Sequence, residues 1–256
     1  MSAYLESLFS LKGKTAIVTG GGRGIGQVVA CGLAKAGAEI AIFARSTFEE
    51  TVKMIEAEGG RAYGLKADVT NEPRVKEAIR ETVRRSGKID VVFNNAGVCV
   101  HVDTFEDKIE DFRQVLDINL TGEYIVAREA ARVMKEQGIH GSIINMASMS
   151  GSIVNMPQWQ VSYNASKAAV IHMTKSLAIE WAPYHIRVNS ISPGYIATPM
   201  STDTPQELKD AWMSLIPTRR MGKPEELIPA ILYLASGAAG YTTGADTVVD
   251  GGYTCF

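Results

Sequence analysis

The sequence predicts an α/β fold, a single doubly wound parallel sheet with helices on both faces, formed by residues 1–256 as one domain. Short apolar strands alternate with amphipathic helices along the whole chain, which is the pattern of a parallel sheet. Strands such as AIVT and VVFN are apolar throughout, as burial on both faces requires. Because no Pro-rich or Ser-rich linker interrupts the alternation, we expect one domain.

The individual elements follow from local patterns. The first strand, 14–19, breaks at Gly20, and the first helix, 25–36, has apolar residues three or four apart and ends before Gly37. Pro229 lies inside the last predicted helix, where we expect it to remove one backbone hydrogen bond and to bend the helix. The other predicted strands are 39–44, 62–67, 89–93, 142–146, 186–191 and 246–249, and the other helices are 49–58, 72–85, 109–137, 163–182 and 225–234.

Composition excludes several classes of protein. With 46% hydrophobic and 21% charged residues, the chain is neither disordered nor fibrous. The net charge of −2 gives no general attraction to nucleic acid or to an anionic membrane surface. Three scattered cysteines indicate a reducing compartment, and no apolar run reaches about 18 residues, so a cytoplasmic protein is expected. The four histidines lack metal-ligand spacing, and no metal site is predicted.

A glycine-rich segment, TGGGRGIG, places Gly20, Gly24 and Gly26 between the end of the first predicted strand and the first turn of the first predicted helix. Glycines let the backbone approach a pyrophosphate, whose charge the helix N-terminus stabilises. An ordinary turn also uses glycine, but the position in the first βαβ unit favours a dinucleotide site. The sequence therefore predicts a Rossmann-type sheet that binds a dinucleotide.

The end of the second strand indicates which dinucleotide is bound. An NAD site needs a carboxylate there for the ribose 2′-hydroxyl, yet the chain has Arg45, followed by Ser46. A guanidinium suits a 2′-phosphate, which it binds through two parallel hydrogen bonds. We therefore predict NADP(H), with Arg23 and Ser46 as further contacts; the alternative for Arg45 is a solvated surface side chain.

Tyr163 and Lys167 lie four residues apart on a predicted helix, so that their side chains share one face. A nearby cation favours the phenolate, and we expect Lys167 to lower the pKa of Tyr163. A chain of this composition contains about one such tyrosine–cation pair by chance, so the pair alone does not indicate catalysis. Its location in the fold has to show whether it is functional. Ligands bind beyond the carboxyl ends of parallel strands, where Asn94, Ser148 and Gly194 also fall.

Taken together and in order, these motifs make the chain resemble the short-chain dehydrogenase/reductase family over nearly its full length. The matching segments are TGGGRGIG, Asp68-Val69, NNAG, Asn119, a serine, YNASK, PGYIAT and the terminal DGG. The resemblance implies that Tyr163 is the general acid in carbonyl reduction and the base in alcohol oxidation. It implies that Lys167 holds the nicotinamide ribose and tunes Tyr163.

The resemblance also implies roles for residues around this pair. Ser148 would hydrogen-bond the reacting oxygen, and Asn119 would support a proton relay through its helix and a bound water, although a helix-capping or helix-bending role is the alternative. Thr198 would contact the nicotinamide carboxamide, Asp68 the adenine, and Asn94 and Gly97 the adenosine ribose. The implied cofactor-binding set is Gly20, Arg23, Gly24, Ile25, Gly26, Arg45, Ser46, Asp68, Val69, Asn94, Ala96, Gly97, Tyr163, Lys167, Pro193, Gly194, Ile196 and Thr198. A homotetramer formed through the two long helices is implied as well.

The choice of catalytic serine has an alternative. The family commonly spaces serine and tyrosine by 13 residues, which points to Ser150. The end of the strand points to Ser148 instead, with a spacing of 15. We favour Ser148 and interpret the excess as an insertion within 151–162.

Two segments are left to shape a substrate pocket: 151–162, and 195–221. The amphipathic pattern of 195–221 suits a lid over the cofactor, with ordinary core packing of its apolar residues as the alternative. Beside Ser150, the amides of Asn155 and Gln158 could bind hydroxyls and Trp159 could pack against a small polyol, with ordinary surface polarity as the alternative. The sequence around YNASK and the C-terminus resembles the sugar and polyol branch of the family, which interconverts ketoses such as sorbose, xylulose or fructose with alditols. The competing functions are a β-ketoacyl carrier-protein reductase and a non-catalytic nucleotide-binding regulator. The presence of all four candidate catalytic residues argues against the regulator.

Overall fold

The computed structural model describes residues 3–255, with the backbone alone at positions 200 and 202. Its seven strands form one parallel sheet in the order β3-β2-β1-β4-β5-β6-β7, which confirms the predicted doubly wound fold. The order reverses between β1 and β4, and ligands of such sheets bind at this switch point, beyond the carboxyl ends of the strands. The strands are β1 (Thr15–Thr19), β2 (Glu39–Ala44), β3 (Arg61–Lys66), β4 (Val91–Asn94), β5 (Ser142–Met146), β6 (Arg187–Pro193) and β7 (Asp246–Val249).

The helices agree with the predicted ones except at the N-terminus and in the segment after β6. They are α1 (Ala3–Phe9), α2 (Gly24–Lys35), α3 (Glu49–Ala57), α4 (Glu72–Ser86), α5 (Ile109–Leu116), α6 (Glu123–Gln137), α7 (Val161–Trp181), α8 (Pro199–Thr202), α9 (Gln206–Leu215) and α10 (Ile228–Ala235). Helix α1 has only 7 residues and buries none of them, so it is too short to give a clear helical period in the sequence. Within residues 3–255, no helix is both long enough and apolar enough to cross a membrane.

Two hydrophobic cores lie on the two faces of the sheet. Alternate residues of each strand point to opposite faces, so that Ile17 packs in one core and Val18 in the other. The first core is closed by α4, α6 and α7, and the second by α2, α3 and α10. Burial on both faces explains why the central strands are apolar throughout.

The predicted helix 109–137 is one continuous helical segment with an irregular middle. Helices α5 and α6 are joined by a π-helical segment, Asp117–Gly122, which contains Asn119. A Cβ at Gly122 would lie 2.6 Å from Cγ2 of Val69, so the helix presses against the end of β3 at this point. Such π-helical segments frequently occur at functional sites.

The expectation for Pro229 is wrong. A short 3₁₀ helix, Pro224–Leu227, precedes α10, and Pro229 is the second residue of α10. At this position the backbone N–H would have no partner within the helix in any case. Pro229 therefore lies in the first turn of α10 and removes no hydrogen bond from it.

Candidate active site

The glycine turn between β1 and α2 forms a tight cradle with one open side. Gly20 and Gly24 have φ of +64° and +56°, in the left-handed region that favours glycine. A Cβ at Gly22 would lie 1.8 Å from the carbonyl oxygen of Thr47, so no other residue fits there. At Gly24 the nearest atom to such a Cβ would be Cγ2 of Thr198, 4.0 Å away. The open side therefore faces the segment after β6 and fits a pyrophosphate bound at the N-terminus of α2.

The NNAG segment is bound to this turn. The hydroxyl of Thr19 accepts hydrogen bonds from the backbone N–H of Asn95 at 2.9 Å and of Ala96 at 3.0 Å. The side-chain amide of Asn95 donates to the carbonyl of Thr19 at 3.0 Å. Asn95 was not among the predicted site residues, although its place in NNAG was a signal. It fixes the loop after β4 against the cradle.

The side chain of Asn94 is fully buried. Its side chain is 0% exposed and donates to the carbonyl of Glu123 at 3.1 Å and to Oδ1 of Asn145 at 3.0 Å. It points into the core between β4, β5 and α6, so this side chain does not reach an adenosine ribose. Gly97, by contrast, is exposed.

The residues predicted for the adenosine end lie just after the carboxyl ends of β2 and β3, except Arg23, which is the N-cap of α2. Arg45, Ser46 and Arg23 are exposed, and neither arginine forms an ion pair within the described part of the chain. Asp68 uses Oδ1 to accept hydrogen bonds from the backbone N–H and the hydroxyl of Thr70, at 3.0 and 2.8 Å. Two guanidinium groups are thus free to meet a phosphate at this end.

The remaining predicted cofactor residues line the same edge of the sheet. Gly194 packs so closely on the C-terminal segment that a Cβ would lie 2.7 Å from Cα of Asp250. Ile196 forms an isolated bridge with Gly222, and Thr198 precedes α8 as its N-cap. The others of this set, at the start of α2 and the ends of β4, β3 and β6, are Ile25, Gly26, Ala96, Val69 and Pro193.

Tyr163 and Lys167 meet on α7 as predicted from their spacing. Tyr163 lies in the first turn, and the Nζ atom of Lys167 is 5.8 Å from the centre of the Tyr163 ring. Lys167 is only 2% exposed, and its Nζ donates hydrogen bonds to the carbonyl of Met146 and, at 3.3 Å, to Oε1 of Glu123. The buried ammonium is thus held by groups from β5 and α6.

The pKa of Tyr163 differs from the expectation. Burial raises the pKa of this phenol above its ordinary value, and the nearby Cys99 and Glu123 act in the same direction. A hydrogen bond with Ser148 acts against this and lowers the pKa of Tyr163, but its effect is smaller than that of burial. The expected net lowering of this pKa is therefore wrong, because the effect of burial is the larger one and Lys167 is hydrogen-bonded to Glu123 and Met146.

Ser148 is the serine that reaches Tyr163. It caps the 3₁₀ helix Met149–Gly151, and its hydroxyl donates to Oγ of Ser150 at 3.1 Å. Ser150 is buried behind it and accepts a hydrogen bond from Nε2 of Gln160 at 3.3 Å. The geometry thus places Ser148 beside the phenol and Ser150 one step further away.

Asn119 connects the loop after β4 to the helix that carries Tyr163. Its side chain accepts from the N–H of Val98 and donates to the carbonyl of Val98, both at 2.8 Å. It also donates to Oγ of Ser166 at 3.1 Å, and Ser166 donates to the carbonyl of Tyr163 at 2.7 Å. Its side chain thus acts on the position of α7 through Ser166.

Glu123 is a site residue that the sequence reasoning missed. It is 2% exposed, and burial raises the pKa of its carboxyl to about 8, although Lys167 acts to lower it. Its Oε2 atom has no hydrogen-bond partner among the described residues. The signal available in the sequence was a glutamate four residues after Asn119, at the start of a helical run with apolar residues.

The amides predicted to bind substrate hold the segment after β6 instead. Oε1 of Gln158 accepts from the indole N–H of Trp212 at 2.9 Å, and its Nε2 donates to the hydroxyl of Tyr195 at 2.8 Å. Asn155 donates to the same hydroxyl at 3.1 Å, and Tyr195 stacks on Trp212 at 4.2 Å. These amides are therefore engaged within the protein, whereas Trp159 is 57% exposed.

An open dinucleotide cradle beside a half-buried tyrosine and a buried serine and lysine defines the class of nicotinamide-dependent oxidoreductases. Within the described residues, no group of three or more metal-ligating side chains accompanies it. A family model described as enoyl-(acyl carrier protein) reductase matches residues 20–254.

Relatives and solved structures agree with this class. A probable NADP-dependent mannitol dehydrogenase of Yarrowia lipolytica is 45% identical, over 100% of this chain and 92% of that protein. A sorbose reductase of Candida albicans is 45% identical, over 97% and 89%. A short-chain type dehydrogenase/reductase from Mycobacterium marinum superposes with a TM-score of 0.95 at 44% identity, covering 98% of this chain and 99% of that one. The chain belongs to the short-chain dehydrogenase/reductase family.

Proposed function

We propose that this protein is an NADP(H)-dependent oxidoreductase that interconverts a ketose of the sorbose, xylulose or fructose type, or a related small polar ketone, with its polyol. The observation that carries the proposal is the placement of Ser148, directly after β5, and of Tyr163 and Lys167, on the first turns of α7, beyond the same edge of the sheet as the open glycine cradle. The similarity to a mannitol dehydrogenase and a sorbose reductase supports the substrate class.

The catalytic roles follow from the geometry. The raised pKa of Tyr163 keeps its phenol protonated at neutral pH, ready to donate a proton to a carbonyl oxygen. Ser148 hydrogen-bonds that oxygen from beside the phenol. Lys167 lies below the ring as a buried cation, and Asn119 positions α7. A nicotinamide held beside these residues would supply the hydride for the carbonyl carbon in reduction and would accept it in oxidation.

Specificity for NADP(H) rests on Arg45, with Arg23 and Ser46 as further contacts. Both arginines are exposed without an ion pair in residues 3–255, so binding a 2′-phosphate breaks no existing salt bridge. A guanidinium is the side chain that best fits a phosphate bidentately. Asp68 at the end of β3 is assigned to the adenine.

For the substrate side we assign 195–221 as the lid. Asn155 and Gln158 position it through Tyr195 and Trp212, while Ser150 supports Ser148 from behind. The exposed indole of Trp159 offers a face to a polyol. The pocket is thereby shaped by an ordered set of hydrogen bonds and not by loose polar side chains.

Assembly and location complete the proposal. Helix α7 carries two small exposed residues, Ala165 and Ala168, that permit close helix packing, and we assign the long helices α6 and α7 to the interface of a homotetramer. The residues 1–256 act as one domain, and the scattered cysteines fit the reducing cytoplasm.

The competing enzyme is a β-ketoacyl carrier-protein reductase, because the family model is described by a carrier-protein reductase. The oxidation of NADPH and NADH is followed with ketoses, acetoacetyl thioesters and simple diketones as substrates. We expect ketose reduction, with kcat/KM at least about tenfold higher for NADPH than for NADH. Activity with thioesters alone would reject the polyol substrate, and equal efficiencies with both nucleotides would reject the role of Arg45. A variant with Ala44→Asp and Arg45→Ile is expected to prefer NADH.

A further inference from the structure

A row of hydrogen bonds runs from the lid to Ser148, and Gln160 lies at its centre. Gln160 is 6% exposed and directly precedes α7. Its Nε2 atom lies 3.3 Å from Oγ of Ser150, which is 3.1 Å from Oγ of Ser148. Its Oε1 atom accepts from Nε2 of Gln158 at 3.4 Å, and Gln158 binds the indole of Trp212. Each step from Trp212 to Ser148 is thus a direct contact between side chains.

The indole of Trp212 fixes the orientation of two amides in this row. An indole N–H can only donate, so the atom of Gln158 that it meets at 2.9 Å is the carbonyl oxygen. The amide nitrogen of Gln158 therefore faces Gln160 and meets its carbonyl oxygen. Gln160 is left with its amide nitrogen toward Ser150. Ser150 thus faces a group that donates and cannot accept.

Two further contacts support this orientation of Gln160. Its Nε2 atom also donates to Oδ1 of Asn155 at 3.0 Å and to Oδ1 of Asn164 at 2.9 Å. The amide has two hydrogens for three acceptors, so these bonds compete with the one to Ser150. In every such arrangement the amide nitrogen still accepts nothing, and Ser150 cannot direct its proton toward Gln160.

The two serine hydroxyls can be arranged in two ways. Ser148 donates to Ser150 at 3.1 Å, and a rotation of both hydroxyls reverses this bond. In the first arrangement the proton of Ser150 has no acceptor among the described residues, although the side chain is only 4% exposed. In the second, Oγ of Ser148 accepts from the hydroxyl of Ser150 and from its backbone N–H, which lies at 3.1 Å. The proton of Ser148 is then free to bind a substrate oxygen.

The group at position 160 selects between these arrangements. An acceptor there would attract the proton of Ser150, so that Ser150 would accept from Ser148 and hold its proton away from the substrate. A donor there leaves Ser148 as the acceptor for Ser150. The second arrangement therefore requires a donor at this position.

We propose that Gln160 is a positioning residue, oriented by Trp212 through Gln158, that directs the hydroxyl of Ser148 toward the reacting oxygen by way of Ser150. The proposal rests on the proposed function, because it needs Ser148 to bind a carbonyl oxygen. Only the directions of hydroxyl groups change, and no proton moves from one residue to another. A lid that withdraws Trp212 releases both amides, so the position of the lid and the direction of Ser148 are linked.

The titratable groups around Gln160 are neutral at neutral pH. Its Oε1 atom also accepts from the thiol of Cys99 at 3.8 Å, and burial raises the pKa of that thiol to about 12, although Lys167 acts to lower it. On the lid, burial raises the pKa of Tyr195 to about 12, and on α7 it raises the pKa of Tyr163 above its ordinary value. The thiol and the two phenols therefore keep their protons between pH 5.5 and pH 9.5.

The test replaces the donor with an acceptor of the same shape, in Gln160→Glu. The introduced carboxyl can donate while it is protonated and can only accept once it is ionised. In ketose reduction with NADPH, we expect kcat to be about thirtyfold below that of the unmodified protein at pH 9.5 and within about threefold at pH 5.5. Groups common to both proteins cancel in this ratio. A ratio that does not change with pH would show a merely structural role and overturn the proposal.

Gln137→Glu, on the exposed end of α6, is the matched control for the added charge. Its kcat should equal that of the unmodified protein across the same pH range. A pH-dependent loss in Gln137→Glu as large as that in Gln160→Glu would overturn the proposal, because position 137 lies outside the row of hydrogen bonds.

A second substitution gives a sharper result, because the proposal predicts a rescue. Adding Ser150→Ala to Gln160→Glu removes the hydroxyl that holds the proton of Ser148. We expect kcat at pH 9.5 to rise at least about threefold above that of Gln160→Glu alone. Two independent packing defects would instead lower kcat further, and that result would overturn the proposal.

Gln160→Met keeps the proposal testable if Gln160→Glu does not fold. It removes the donor without adding a charge, so the direction of Ser150 is no longer fixed. We expect kcat to fall about fivefold in the unmodified protein and not at all in the Ser150→Ala variant. The same fold-loss in both would show that Gln160 does not act through Ser150.

The Tm of the cofactor-free protein supplies an arm that needs no turnover. Gln160→Met and Ser150→Ala each break the bond between these residues, so the double variant should lower Tm by less than the sum of the two single changes. Additive changes in Tm would overturn the proposal even if the protein reduced no ketose. Absence of ketose reduction by the unmodified protein would reject the substrate class alone. The kinetic comparison would then use an acetoacetyl thioester or a diketone, whose carbonyl oxygen Ser148 would bind in the same way.

Discussion

The two sides of the candidate active site are held together by different kinds of contact. On the cofactor side, the turn between β1 and α2 is fixed by backbone atoms, and a Cβ at Gly22 or Gly26 would lie 1.8 or 2.5 Å from a carbonyl oxygen. On the substrate side, the segment before α7 and the lid are joined by side chains, with Gln158 binding both Tyr195 and Trp212. The cofactor side therefore requires glycines, which have no side chain, whereas the substrate side is held together by side-chain hydrogen bonds.

This difference has a consequence for specificity. A cradle made of backbone atoms binds a pyrophosphate, which every dinucleotide cofactor contains. The residues of this cradle cannot be substituted without disturbing the fold. A lid held by amide, hydroxyl and indole groups can be altered one side chain at a time, since these bonds lie outside the sheet. We therefore expect substitutions in the cradle to affect stability and all ligands, and substitutions under the lid to affect the sugar alone.

The largest effect is expected for Gly22→Ala. The new Cβ would overlap the carbonyl oxygen of Thr47, which is backbone and can yield only by moving the loop after β2. We expect the free energy of unfolding in urea to fall by about 3 kcal/mol and NADPH binding to be lost. Gly237→Ala, where the nearest atom is 3.9 Å away, is the control and should change stability little. A stable Gly22→Ala protein that binds NADPH normally would refute the view that the cradle is sterically fixed.

The next effect is expected for Ser148→Ala, at the boundary between the two sides. Removing the hydroxyl beside Tyr163 takes away one hydrogen bond to the reacting oxygen, and we expect kcat to fall about hundredfold. Ser150→Ala removes a hydroxyl one step further away, and kcat should fall less than about tenfold. Steady-state kinetics with one ketose compares the two variants directly. The opposite order would assign the catalytic role to Ser150.

The smallest of these effects is expected for Gln158→Leu. The indole N–H of Trp212 and the hydroxyl of Tyr195 lose a buried partner, at a cost of about 1–3 kcal/mol, and the lid is held less firmly. We expect KM for the ketose to rise about tenfold while the Kd of NADPH stays within twofold. Gln137→Leu, on the exposed end of α6, serves as the control. A matching loss of NADPH affinity in Gln158→Leu would show that the two sides are not separate.

The cofactor side was largely predictable from sequence because its information is local. A strand, three glycines and a helix follow one another within residues 14–36, and Arg45 stands directly after the next strand. The substrate side was not, because its contacts join residues far apart in the chain, such as Gln158 and Trp212. The sequence showed that these amides were polar, but not that each was already engaged by another side chain.

The remaining differences also have physical causes. Glu123 looked like an ordinary helix residue, since only the fold brings Lys167 to it from α7. The pKa of Tyr163 depends mainly on the burial of its side chain, and the four-residue spacing to Lys167 does not predict that burial. Asn94 and Asn95 are consecutive residues at the end of β4, so their side chains point in opposite directions. Asn94 points into the core, and Asn95 binds the glycine turn.

The proposed function requires that Tyr163 perform the chemistry while the cradle binds the nucleotide independently of it. The most direct test measures kcat for ketose reduction and the Kd of NADPH in Tyr163→Phe, which lacks only the phenolic hydroxyl. We predict that kcat falls about a thousandfold and that the Kd of NADPH stays within twofold. Turnover close to that of the unmodified protein would contradict the account.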